Sequence, residues 1–169
     1  MSLSKPNPLS SLQALKLTTL LLSGILTGAS ASLSVFVVPR LLESPVPLML
    51  RQWVNTYHQG KHTMIPLTVI TSTGYFLLAS RVGLQNAVGK AYLAAGVLTL
   101  GIMPYTKVVM MGTNDRIEAR AKDVVAESEE KVWVKDVGSR WLVDHWGVLN
   151  LGRAGMLVVG AVLGFGVSV

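Results

Sequence analysis

Residues 17–39 read LTTLLLSGILTGASASLSVFVVP, 23 residues without a charge between Lys16 and Arg40. An α-helix rises about 1.5 Å per residue, so about 20 apolar residues cross the hydrocarbon core of a bilayer. The stretch therefore reads as a membrane span. Its opening also has signal-peptide features, with Lys5 and Lys16 before a leucine-rich core and Ala29-Ser30-Ala31 as a small-residue cleavage site. The apolar character runs on to Val38, longer than a signal core needs, and favours a retained span.

Working outward, charges bracket three more apolar blocks. Lys61 and Arg81 enclose His62–Ser80, with Pro66 near its start. Lys90 and Lys107 enclose Ala91–Thr106, which spans a bilayer if both lysines extend their stems to the interfaces. Arg153 opens the last block, Ala154–Val169. The sequence thus predicts an all-α protein, an integral membrane four-helix bundle in one domain over 1–169. Its spans fall at about 17–39, 62–80, 91–109 and 151–169, with extramembrane helical segments at about 45–61 and 113–150. The composition agrees: half of the 169 residues are hydrophobic, 14% are charged, and mean hydropathy is +0.49. Soluble domains carry about a quarter charged residues.

Cysteine is absent, which removes disulfides, thiol nucleophiles and thiolate-bound metal or iron–sulfur centres. The net charge of +6 is spread between the apolar blocks rather than clustered, so it reads as membrane topology and not as a nucleic-acid patch. No glycine-rich phosphate loop, serine nucleophile elbow or HExxH element is present. The N-terminal tail and the Arg81–Lys90 turn hold four of the fifteen basic residues and no acidic one. The 40–61 and 107–153 segments hold the other eleven, all nine acidic residues and all four tryptophans, and all three histidines fall on their side, His58 and His145 within them and His62 directly after Lys61. Lys and Arg counts favour this second side as cytoplasmic, and net charge favours the first. Chemistry belongs on the second side in either case.

Ser44-Pro45-Val46-Pro47 predicts a helix start capped by Ser44, and the helix can run through Pro66 with a bend. On it, Trp53, Tyr57 and Gly60 share one face, and His58 and His62 the neighbouring one. Thr113 and Asn114 read as a cap for an amphipathic helix with Ile117, Ala121 and Val124 as its stripe and Glu127–Lys131 as an i, i+4 pair. Gly138 is expected to interrupt that helix. Beyond it, Leu142, Trp146, Asn150 and Arg153 fall on one face at the mouth of the last span. Gly24, Gly28 and Ser32, and Gly160 with Gly164, give small residues four apart. They suit close packing within the bundle or a homo-oligomer seam.

Arg153 and Asn150 suit an oxyanion, with headgroup snorkelling and backbone bonding as the plain alternatives. His58 and His62 are general-base candidates, because imidazole titrates near neutrality. With His145 they are also the conceivable ligands of a metal, although no carboxylate repeats their spacing. Trp133 reads as part of an interfacial aromatic belt, while Trp53 and Trp146 could wall a site for a flat aromatic ligand.

The pattern Trp53-x-x-x-Tyr57-x-x-Gly60-Lys61 before a Pro66-containing span, Pro104-Tyr105-Thr106 leading to Thr113-Asn114, and Trp146-x-x-Leu149-Asn150-x-x-Arg153 opening the last helix resembles the anthrone oxygenase-like family. Its members are small integral membrane proteins typical of fungal aromatic polyketide pathways. Gly112 departs from the pattern, where proline is expected before Thr-Asn. The resemblance implies oxidation of an anthrone to an anthraquinone by molecular oxygen, without flavin, nicotinamide or heme, in the endoplasmic reticulum membrane. On that reading His58 or His62 removes the proton and Arg153 and Asn150 hold the enolate oxygen. Trp53, Tyr57 and Trp146 then sandwich the rings, and Asn114 and Arg116 close the mouth. The alternatives are a copper or iron oxygenase bound through His58, His62 and His145, and a non-catalytic four-helix scaffold or lipid-binding protein.

Overall fold

The computed structural model describes residues 10–126 and 136–168, and Glu127, Lys131 and Trp133 lie outside the described residues. Helix α1 (Ser11–Ser32) opens on a reciprocal cap. The Gln13 amide donates to Ser10 Oγ at 3.2 Å, and the Ser10 amide to Gln13 Oε1 at 2.9 Å. It leads through a π-helical turn (Leu33–Val37) into α2 (Val38–Leu42). Pro39 accounts for this turn: it lacks an N–H and its ring crowds the carbonyl four residues back, so the Val38 amide reaches the Leu33 carbonyl instead.

Helix α3 (Val46–Val82) is continuous through Pro66. It ends at Gly83, whose φ of 92° favours glycine, and Asn86 caps α4 (Ala87–Tyr105) through the Gly89 amide at 2.8 Å. A Cβ on Gly89 would meet the Gly83 carbonyl, so this tight turn needs both glycines. A second π turn (Thr106–Met110) carries α4 into α5 (Met111–Ala126), and α6 (Asp136–Gly166) completes the chain. No strand occurs among the described residues.

Four helical stretches, Ser11–Leu42, Val46–Val82, Ala87–Val124 and Val137–Gly166, are long and apolar enough to cross a membrane. They form a bundle in which α1 and α4 each pack between α3 and α6. Large apolar side chains such as Leu21, Phe36, Val97 and Val162 point outward, which is costly in water and natural in lipid. Inside, Leu20, Tyr75, Leu78 and Tyr92 fill one end and Leu26, Ile102 and Leu157 the middle. Leu50, Trp53, Ile117, Val143 and Trp146 fill the end where α5 packs. Gly160 and Gly164 serve this packing, against Ala95 and Thr99 and against Tyr75, whereas Gly24 and Gly28 have no neighbour within 4 Å of an added Cβ.

Three local expectations are corrected. Thr113 and Asn114 do not cap a helix, because the π turn keeps the backbone ladder running and the Asn114 side chain is engaged elsewhere. Gly138 causes no break among the described residues, since it lies within α6. Ser44 is no side-chain cap for α3, whose flanking residue is Pro45. Its hydroxyl donates to Gln52 Oε1 at 3.2 Å instead.

Candidate active site

A cavity of about 210 Å³ lies between α3, the α4–α5 junction and α6. Its aromatic wall follows from the spacing on α3. Trp53 and Tyr57, one turn apart, stack with ring centroids 4.9 Å apart and planes 18° apart, and Trp146 from α6 meets Trp53 edge-on at 5.5 Å and 84°. Trp53 is fully buried behind this wall, while Tyr57 and Trp146 line the cavity. Met64, Met110 and Ile102 supply pliable and apolar surface, and Ile65, Met103 and Met111 form an exposed rim.

The polar groups converge from three helices. The Asn114 amide donates to the Tyr57 hydroxyl oxygen at 3.2 Å, tying α5 to α3. Lys61 Nζ lies 4.3 Å from the Tyr57 ring centroid. Arg153, one helical face with Trp146, lines the cavity together with Lys61 and Lys107. Among the described residues that line it, cations therefore number three and carboxylates none. Asn114 Oδ1, Trp146 Nε1 and Arg153 Nε are buried without a hydrogen-bond partner in the protein. Buried polar atoms are rarely left unpaired, and these belong to residues lining a cavity where a ligand can pair them. Tyr105 ties α4 to α6 next to Arg153 in sequence: its hydroxyl donates to the Leu149 carbonyl at 2.9 Å, and Gly152 admits it where a Cβ would collide.

The structure brings Trp53, Tyr57, Asn114, Trp146 and Arg153 to one place and leaves the other sequence candidates outside it. His58 Nε2 pairs with Glu118 Oε1 at 3.0 Å and lines a second, larger cavity of about 830 Å³ with Arg51, Val54 and Lys122. His62 and Arg116 are exposed and line neither cavity. Asn150 is buried against α1, where its amide donates to the Ser30 carbonyl at 2.9 Å and Ser34 Oγ at 2.8 Å. On the helical wheel it stands about 60° from Arg153, enough to turn it from the cavity to the neighbouring helix. His145 stacks on Trp141 at 4.9 Å. The three histidines form no cluster of potential metal ligands, and no such group of three occurs among the described residues. Sequence reasoning missed Thr106, Lys107 and Met110 as lining residues, although Ile102, Thr106, Met110 and Asn114 recur every four positions.

The sequence profile of the anthrone oxygenase family matches residues 53–163, which contain every residue of the aromatic and cationic wall. An anthrone oxygenase of Emericella nidulans is 35% identical over 108 residues, 63% of this chain and 56% of the relative. One from Claviceps purpurea is 35% identical over 86% of this chain and 83% of its own length. One from Aspergillus novofumigatus is 34% identical over 88% and 89%. No solved structure matches the chain. With the profile covering the cavity and the relatives most of the chain, the protein belongs to the anthrone oxygenase family.

Proposed function

We propose that the 210 Å³ cavity binds a hydroxylated anthrone and promotes its oxidation to the anthraquinone by molecular oxygen. The chain is an anthrone oxygenase-like monooxygenase by family, and its relatives carry the names anthrone oxygenase and noranthrone monooxygenase. The observation that carries the reading is one cavity joining a stacked aromatic wall to three cations, with no carboxylate among the described lining residues. Such a site favours a flat aromatic molecule that becomes anionic. Ligand pockets commonly exceed about 300 Å³. A tricyclic ligand therefore fills this cavity and extends across Ile65, Met103 and Met111 toward the bilayer, its route of access. The membrane is expected to be that of the endoplasmic reticulum, a reading that rests on the family alone.

The anthrone methylene lies between two aryl rings, so loss of one proton gives a delocalised enolate. That enolate passes an electron to dioxygen, and the resulting carbon–oxygen bond leaves a peroxide on the former methylene carbon. Loss of the second C–H proton with cleavage of the O–O bond releases water and leaves the quinone carbonyl. Both oxygen atoms are accounted for and no outside reductant is consumed. In this reading Arg153 holds the enolate oxygen, Asn114 Oδ1 accepts from a neighbouring hydroxyl, and Trp146 Nε1 offers a further donor. No histidine lines the cavity, so the base we assign is the Tyr57 phenolate, its oxygen accepting from the Asn114 amide and its charge met by Lys61; it takes the methylene proton and becomes the neutral phenol. The apolar surround excludes water and protects the enolate from reprotonation.

The test is oxidation of a hydroxylated anthrone by the purified protein in lipid vesicles under oxygen, followed by quinone absorbance. Formation above the spontaneous rate, lowered about a hundredfold in Arg153→Met, is expected. A rate equal to the protein-free background would refute the proposal. Repeating the assay after chelator treatment and with added copper or iron distinguishes the metal-dependent alternative.

A further inference from the structure

The α4–α5 rod meets the cavity at Ile102, Thr106, Met110 and Asn114, in steps of four. An α-helix turns about 100° per residue, so each step overshoots a full turn by about 40°, and three steps by about 120°. In an unbroken α-helix Asn114 would stand a third of a turn away from Ile102. The π turn at Thr106–Met110 absorbs the overshoot, because it spends one more residue per hydrogen-bonded turn. On either side the buried positions return to α spacing, with Thr99 and Ile102 before it and Asn114, Ile117 and Val124 after it. The additional residue points away from all of this: Val108 is 82% exposed and lines neither cavity.

The two π turns differ in cause. Two residues beyond the first stands Pro39, whose missing N–H explains it locally, whereas Gly112 occupies the same place beyond the second. The second turn is held instead by the tertiary contacts it makes possible, Asn114 on Tyr57, His58 on Glu118 and the buried Ile117.

We propose that the Thr106–Met110 π turn is a positioning element for the catalytic cavity. It rotates α5 so that Asn114 faces Tyr57, and removal of Val108 would cancel it. The predicted effect on turnover rests on the functional reading above, and the register itself does not. The chain has no cysteine, so register is readable by crosslinking a His58→Cys/Glu118→Cys pair with a short bis-methanethiosulfonate, separately from activity in the otherwise native chain. Deleting Val108 is expected to abolish the crosslink and lower anthrone turnover at least about tenfold. Adding one alanine between Met111 and Gly112 to that deletion should restore the crosslink and most of the turnover, and Gly112→Pro should preserve both. A Val108 deletion that still crosslinks would overturn the proposal, as would a compensating insertion no better than the deletion, which would mark the loss as general damage. Should the deletion not accumulate in membranes, recovery on insertion reads the same way, and failure to recover overturns it. If crosslinking follows the expected pattern while the native chain oxidises no anthrone, the register stands and the functional reading falls.

Discussion

The seam between α3 and α5 borders two cavities of opposite character. The smaller is lined by aromatic rings, methionines and three cations, and its one side-chain hydrogen bond to Tyr57 comes from an uncharged amide. The larger contains the pair His58–Glu118, with Arg51 and Lys122 nearby, so its charges are partly met within the protein. Adjacent residues on one helix, Tyr57 and His58, enter these two settings because they differ by about 100° around the axis. The lesson is that the side chain most suited to proton transfer by type need not stand in the cavity that the aromatic wall lines. Imidazole is the obvious base, yet its charge partner is already supplied, whereas no carboxylate among the described lining residues meets the three cations that share the small cavity with Tyr57.

Variants can break or sharpen this contrast. Arg153→Met removes the deepest cation of the small cavity and is expected to lower quinone formation about a hundredfold, the usual cost of losing one oxyanion donor. Tyr57→Phe, which keeps the ring stack and loses the assigned base, should likewise cost about a hundredfold in kcat with KM little changed. Gly152→Ala forces the Tyr105 hydroxyl off the Leu149 carbonyl. It should destabilise the folded protein by about 1–3 kcal/mol, read as a lower thermal midpoint in detergent. Asn150→Ala leaves the Ser34 hydroxyl and Ser30 carbonyl without this partner and should cost about 1–2 kcal/mol of stability, with turnover per folded molecule retained. The smallest effect is expected from His58→Ala and His62→Ala, each within about twofold of the native rate. A loss from His58→Ala as large as that from Arg153→Met would move the chemistry into the larger cavity and undo the comparison.

How much of the site was legible depends on whether its signal is local. Trp53 with Tyr57, and Trp146 with Arg153, share faces through i, i+4 and i, i+7 spacing, and a face is a property of one helix. Asn150 sits on nearly the same face of α6 and still turns to α1, because which neighbour lies at the edge of a face is set by packing. The expected cap at Thr113-Asn114 failed for a related reason. Asn favours caps when its side chain has only local backbone to bond, and here Tyr57 from another helix competes for it.

The sequence by itself determined the membrane class and the four apolar helices, since both follow from charge spacing along the chain and the length needed to cross lipid. It also determined the family, through residues spread over most of that length. Only the tertiary structure decided which cations share a cavity, that the histidines stand outside it, and that a π turn sets α5 in register with α3. Rotation accumulates residue by residue along a helix, so a single widened turn changes every later contact while leaving composition and hydropathy unchanged.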